Sequence, residues 1–143
     1  MPVQSHLLQT LVSLSSNWII QIEFKTTTDT LDPIYSSLFR VLGNEGKIAW
    51  IDVQDSTTLS INDAPFQPKK NVYHRVVFSQ IFSPTHNGCL KELRIDGQLY
   101  QSYIHTKSYT NVNAYAGWPS APASQTNNAT IRNFYLLDLD KDA

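Results

Sequence analysis

A sugar ring asks little of a protein. One aromatic side chain covers its apolar face, and a few planar or hydroxylated groups meet its hydroxyls. Three short stretches of this sequence carry such residues. "SPTHNG" supplies His86 and Asn87, "HTKSY" supplies His105, Lys107 and Tyr109, and "AGWPSAPASQTNN" sets Trp118 among Ser120, Gln125 and Asn127. Each has a plainer role open to it. Asn87–Gly88 suits a turn, His105 can end a strand, and Trp118 can be a lid over the core instead of a group shown to a ligand.

Chemistry beyond binding finds little support. A polysaccharide-cleaving site on a β-sandwich needs carboxylates facing one groove. Asp52 and Asp55 are three apart, on opposite faces of a strand, and Glu23 is alone in "QIEFK". Asp138 and Asp140 alternate in the tail "LLDLDKD", where a solvated edge is the simplest reading. There is no phosphate-cradling glycine loop, nucleophile elbow or paired-histidine metal motif. The expectation is a protein that is not an enzyme, with His86, Asn87, His105, Tyr109 and Trp118 as candidate carbohydrate-binding residues.

The elements that must position these residues are strands. Segments such as "NWIIQIEFKTTT", "KIAWIDVQ", "NVYHRVVFSQIF" and "TNVNAYAG" are short and rich in β-branched and aromatic residues, with frequent alternation. Turn residues separate them every 8–12 positions, and no window keeps helical spacing. "LRIDGQLYQ" is the sharpest local signal, because Asp96–Gly97 between alternating runs favours a tight type I′ hairpin. About ten such strands imply an all-β fold, a two-sheet antiparallel β-sandwich.

Alternation orients the strands. Val112, Ala114 and Ala116 should face the core, with Asn113 and Tyr115 outside. Val72, His74, Val76 and Phe78 should be inside, while Trp18 and Trp50 are core residues by default. Strands taken in strict alternation divide the loops between two rims, one of 28–34, 55–56, 83–88 and 105–109, the other of 43–47, 63–71, 96–97 and 117–128. The first collects His86, Asn87, His105 and Tyr109, and the second Trp118. A sheet face bearing Asn113, Tyr115 and Arg75 is a third candidate.

Composition bounds the partners. The 143 residues suit a single domain, 1–143, with 41% hydrophobic and 16% charged residues and a net charge of −1. That balance argues against nucleic acid and anionic membrane, which need clustered Lys and Arg. No apolar stretch reaches the length of a membrane helix, so no membrane insertion is expected. Cys89 stands alone, which excludes an intramolecular disulfide. The start lacks a signal-peptide pattern, while Asn128-Ala129-Thr130 is a glycosylation sequon. The expectation is the mature form of a secreted, extracellular protein.

From Val76 onward, "VVFSQIFSPTHNGCLKELRIDGQLYQSYIHTKSYTNVNAYAGWPSAPASQTNNATIRNF" resembles the C-terminal half of invertebrate modules of the laminin G-like/concanavalin A-like type. "NWIIQIEFK" is similar to their early "W.V.F..K" strand. The likeness departs at "AGWPSAP", where the family usually carries an acidic "SDPW", so no role of that aspartate carries over. The resemblance implies a jelly roll and a lectin or an adhesion domain. The ligand would be an oligosaccharide or glycoconjugate, of neutral or galactose type because neither rim holds an arginine cluster. The alternative is an extracellular adhesion module that binds a protein partner through the same rims. No cofactor is required; calcium is the one ion the resemblance would admit, on Asp29, Asp32 and Asp63. Lectins of this size gain avidity by pairing sites, and open edge strands invite pairing, so a homo-oligomer, a two-fold dimer, is expected.

Overall fold

The computed structural model describes residues 6–28, 30–31, 37–116 and 129–141. Asp29, Asp32, Trp118 and Asn128 therefore lie outside the described residues. Eleven strands are present among them: β1 (His6–Leu14), β2 (Trp18–Thr26), β3 (Ser37–Gly43), β4 (Gly46–Val53), β5 (Leu59–Ile61), β6 (Ala64–Phe66), β7 (His74–Ser83), β8 (Gly88–Ile95), β9 (Gln98–Ile104), β10 (Tyr109–Ala116) and β11 (Ala129–Asp138). They form a six-stranded sheet in the order β1-β10-β3-β4-β5-β6 and a five-stranded sheet in the order β11-β2-β7-β8-β9. Every pairing is antiparallel.

Period-two alternation builds the core. On β2, Trp18, Ile20, Ile22 and Phe24 are fully buried while the residues between them reach the outer face. On β7, His74, Val76, Phe78 and Gln80 point inward, and on β10 Val112, Ala114 and Ala116 do the same. The sheets meet ring on ring: Phe39 of the six-stranded sheet stacks on Phe78 of the five-stranded one, centroids 6.2 Å apart. Burial of such side chains stabilises by about 1.5–3 kcal/mol each before entropy is counted. Two inward assignments fail. Val72 precedes β7 and is 43% exposed. Trp50 is half-buried on the outer face, because a bulge turns both Ile48 and Ala49 inward and leaves Lys47, Trp50 and Asp52 outside.

Two tight turns set the topology. Asp96 (φ 53°) and Gly97 (φ 83°) close the β8–β9 hairpin, as their types predict. Asn62 (φ 47°) and Asp63 (φ 67°) close a second such hairpin, β5–β6. The sequence reading passes over β6, three residues with Pro65 in the middle. That missing strand inverts the parity of every later loop. In the structure Leu14 pairs with Tyr109, Gly43 with Gly46, and Ser83 with Gly88, and Lys107 bridges to Glu45 at 2.7 Å. Loops 15–17, 44–45, 84–87 and 105–108 thus share one end, and loops 54–58 and 67–73 lie at the other with the 96–97 turn. The expected grouping of 28–34 and 55–56 with 83–88 is corrected accordingly.

The edges of both sheets are interrupted. β1 carries an extra residue between Leu7 and Gln9, β11 between Arg132 and Tyr135, and β9 opposite Leu93–Arg94. β6 carries Pro65. A bulge twists a strand and Pro removes a donor, so each edge is a poor template for further strand pairing.

Candidate functional site

Of the first rim, loops 83–88 and 105–109 share one end of the sandwich, and His86, Asn87, His105 and Tyr109 there make contacts that hold the fold. Ser83 and His86 share a hydrogen bond, Oγ to Nδ1 at 2.8 Å. Asn87 adopts the left-handed conformation that ends the 3-10 turn Pro84–His86, and its N–H donates to the Pro84 carbonyl at 3.2 Å. His105 Nδ1 is 2.8 Å from Gln80 Oε1, and the buried Gln80 amide donates to the carbonyls of Ser16 and Lys107, tying two loops to β7. Burial, then the nearby Lys91 and Lys107 charges, holds His105 below the ordinary imidazole value, so its ring is neutral at pH 7. Tyr109 is only 6% exposed and belongs to the core cluster, where burial raises its hydroxyl pKa. It therefore offers no free ring. Tyr103, edge-on to His105 at 6.0 Å, and Phe82, beside the 84–87 loop, are the half-exposed rings at this end.

Sequence reasoning missed Lys91. It is 7% exposed, its Nζ donates to the Ile48 carbonyl at 3.3 Å, and burial lowers its pKa. Its place in "CLKELRI" reads as an outward polar residue, and only the closing of the six-stranded sheet over β8 buries it.

The opposite end holds a pocket of about 340 Å³, lined by Thr26, Thr28, Thr57, Gln67 and Lys70 over Leu31. Among the described residues it has hydroxyls but no aromatic wall. Asp63, the calcium candidate within the described residues, stands in the β5–β6 turn. No group of three or more acidic, His or Cys residues that could hold a metal occurs among the described residues.

A different arrangement appears on the outer face of the six-stranded sheet. Tyr115 of β10 lies opposite Arg40 of β3, and Arg40 lies opposite Trp50 of β4. Two half-buried aromatics thus flank one guanidinium in a single cross-strand row, roughly 10 Å from ring-bearing strand to ring-bearing strand. Arg40 grips Asp52 through Nε and one η nitrogen, at 3.2 and 3.0 Å. Lys47 reaches the same carboxylate at 3.5 Å and places its ammonium 4.4 Å from the centre of the Trp50 ring. Trp50 is further pinned by Asn62, whose side-chain carbonyl accepts the Trp50 backbone N–H at 3.0 Å. In the next row Asn113 lies opposite Leu42 and Leu42 opposite Lys47.

Of the residues expected to share a sheet face, Asn113 and Tyr115 are here, but Arg75 is not. It stands on the outer face of the five-stranded sheet, because β7 and β10 belong to different sheets. Sequence reasoning assigns Trp50 to the core because an indole in an apolar strand reads so, overlooks Arg40, and weighs Asp52 only as a catalytic carboxylate. The alternation Trp50–Asp52 against Ile51–Val53 was the available signal.

No protein-family profile and no curated protein matches the chain. Solved structures do. An alginate lyase from Corynebacterium sp. superposes over 87% of this chain and 61% of its own, at TM-score 0.56 and 16% identity. The mouse laminin alpha1 chain, domains LG4-5, is matched over 96% of this chain and 40% of its own, at TM-score 0.53 and 14% identity. Sheep galectin-11 is matched over 96% and 98%, at TM-score 0.50 and 6% identity. The fold is a concanavalin A-like jelly roll. The chain spans about three fifths of the length of the alginate lyase.

Proposed function

We propose that this domain is a lectin, a non-catalytic protein that binds a neutral, galactose-type oligosaccharide of cell-surface or secreted origin on the outer face of its six-stranded sheet. The Tyr115–Arg40–Trp50 row carries the reading. Trp50 supplies a rigid ring for a pyranose, Tyr115 a second contact two strands away, and the Arg40–Asp52 pair a fixed fork of donors and acceptors for hydroxyls. Because Arg40 already spends its fork on Asp52, a neutral sugar suits the row better than a carboxylated one. Asp52 is held by both Arg40 and Lys47, at 3.0 and 3.5 Å, which fixes the position of its oxygens in the row.

The matched galectin and laminin domains, and a Trypanosoma rangeli sialidase solved in complex with sialic acid, are consistent with glycan recognition. The extracellular placement belongs to the same proposal. Avidity through a homo-oligomer would have to use a sheet face, since the bulges and Pro65 interrupt each edge.

A glycan array tests the reading. Binding of wild type to neutral glycans, lost in Trp50→Ala and kept in His105→Ala, supports it. Loss in His105→Ala with Trp50→Ala unaffected would move the site to the loop end. A blank array beside retained cell adhesion would replace the lectin with the adhesion module.

A further inference from the structure

We infer that the outer face of the five-stranded sheet is a second, separate binding surface, for an acidic polysaccharide carrying carboxylates or sulfates along an extended chain. Lys25, Arg75, Arg94 and Arg132 are distant in sequence, yet alternation places all four on this face. Arg132 of β11 lies opposite Glu23 of β2, and Glu23 lies opposite Arg75 of β7. Arg94 of β8 follows, opposite Val77, in the next row. Four cations stand against the carboxylates of Glu23 and Glu92, a surplus of two on a chain whose net charge is −1.

The hydrogen bonds show which of these groups remain for a ligand. Glu23 accepts from Arg132 Nε at 2.7 Å and the Asn133 amide at 2.8 Å, both at Oε1, and these bonds hold its carboxyl below the usual range. Glu92 takes Arg94 at 3.4 Å and the Ser102 hydroxyl at 3.3 Å. Asp96, beside this face, is occupied by His74 and by the Arg75 backbone N–H. Arg75 gives Nε to Gln21 at 2.8 Å. Arg75 and Arg132 therefore spend only Nε within the described residues, and their η nitrogens form two fixed forks suited to carboxylate or sulfate oxygens. They flank β2, so they stand roughly 10 Å apart, a span of about two linked pyranoses. Gln21, Thr130 and Tyr135 border them with amide and hydroxyl groups.

The occupant follows from this chemistry. A single-stranded nucleic acid needs an open ring for base stacking, but Tyr73 is covered by the Arg132 guanidinium at 3.6 Å and approached by Lys25 at 4.9 Å, and Tyr135 is half-buried with its hydroxyl donating to Gln21 at 3.3 Å. A flat row of forks bordered by hydroxyl and amide groups fits a charged sugar chain instead.

The test compares hyaluronan (carboxylate only), dextran sulfate (sulfate only) and uncharged dextran for affinity to wild type, Arg75→Gln/Arg132→Gln and Lys25→Gln. Thermal melting would establish that each variant is folded. The expected result is binding of at least one polyanion and none of dextran, with about tenfold or greater weakening in the arginine pair. Lys25→Gln, which disturbs no hydrogen bond of Glu23, should give a smaller loss and a shallower salt dependence. Trp50→Ala should leave polyanion affinity unchanged, which separates this surface from the neutral-glycan row. Absence of polyanion binding at low salt would overturn the inference, as would affinity unaltered in both cation variants. So would stronger binding of duplex DNA or phosphatidylserine vesicles than of either polysaccharide.

Discussion

On the six-stranded face Arg40 commits both prongs of its fork to Asp52 and stands between Tyr115 and Trp50. On the five-stranded face Arg75 and Arg132 give up only Nε, and the ring nearby, Tyr73, is itself covered by a guanidinium. The strands and the pleat are alike; what differs is how much of each arginine its neighbours consume. Both faces carry a ring with a cation over it, Lys47 on Trp50 at 4.4 Å and Arg132 on Tyr73 at 3.6 Å. Where the fork is consumed, the surface offers the ring and a fixed hydrogen-bonding pair; where the fork is left over, it offers charge. The lesson is that an arginine's ligand is decided by its cross-strand carboxylate, which no local stretch of sequence displays.

Because the two faces share one core, the change that breaks both together should be the largest. Phe78→Ala removes the ring stacked on Phe39 and should cost about 3–5 kcal/mol of stability, read as a lower denaturant midpoint with neutral-glycan and polyanion binding failing in step. A variant that lost only one activity would mean that the faces are supported separately.

Trp50→Ala should separate them. By analogy with stacking on aromatic platforms, neutral-glycan affinity should fall by about 1–3 kcal/mol, with melting temperature little altered because the indole is on the outer face. An unaltered titration isotherm for a neutral glycan would remove Trp50 from the site.

Lower pH should weaken the shared frame at the loop end, measured by chemical denaturation across pH. His105 is held below its unfolded value, so its contribution is present above about pH 6.5 and is lost as pH falls toward its folded value. His105→Gln should flatten that part of the profile. Asp138 acts in a more acidic window. Burial pulls its carboxyl up, but hydrogen bonds from the Ser15 backbone and hydroxyl and from the Asp140 N–H, with Lys141, bring it below the ordinary value. Its contribution should persist until pH drops below about 4. Loss of stability on the alkaline side of neutrality in place of the acidic side would contradict both assignments.

The smallest effect should come from Lys107→Ala. The Lys107–Glu45 bridge joins two half-exposed side chains at the loop end, and solvent screens such pairs. Neither binding activity should change measurably; a clear loss of glycan affinity would revive that end as a site.

Much of the framework is legible in the sequence for a local reason. Side chains alternate along a strand, so Ile20, Ile22, Phe24, Val76, Phe78, Val112 and Ala114 declare the core, and Asp96–Gly97 declares its turn. The end of the sandwich that gathers His86, Asn87, His105 and Tyr109 was legible too, but their tasks were not. Whether a histidine meets Gln80 or a ligand depends on a strand 25 residues away.

The rest was decided in three dimensions. A three-residue strand centred on Pro65 gives almost no periodic signal, yet it sets the parity that assigns every later loop to an end. One bulge puts Trp50 outside where its type argues for the core. Sheet membership separates Arg75 from Tyr115 and brings it within a strand of Arg132, 57 positions along the chain. The amino-acid sequence by itself determines which way each side chain leaves its strand, because that rests on backbone geometry a few residues long. Which side chains then stand together depends on strand order, and strand order is a property of the closed sandwich.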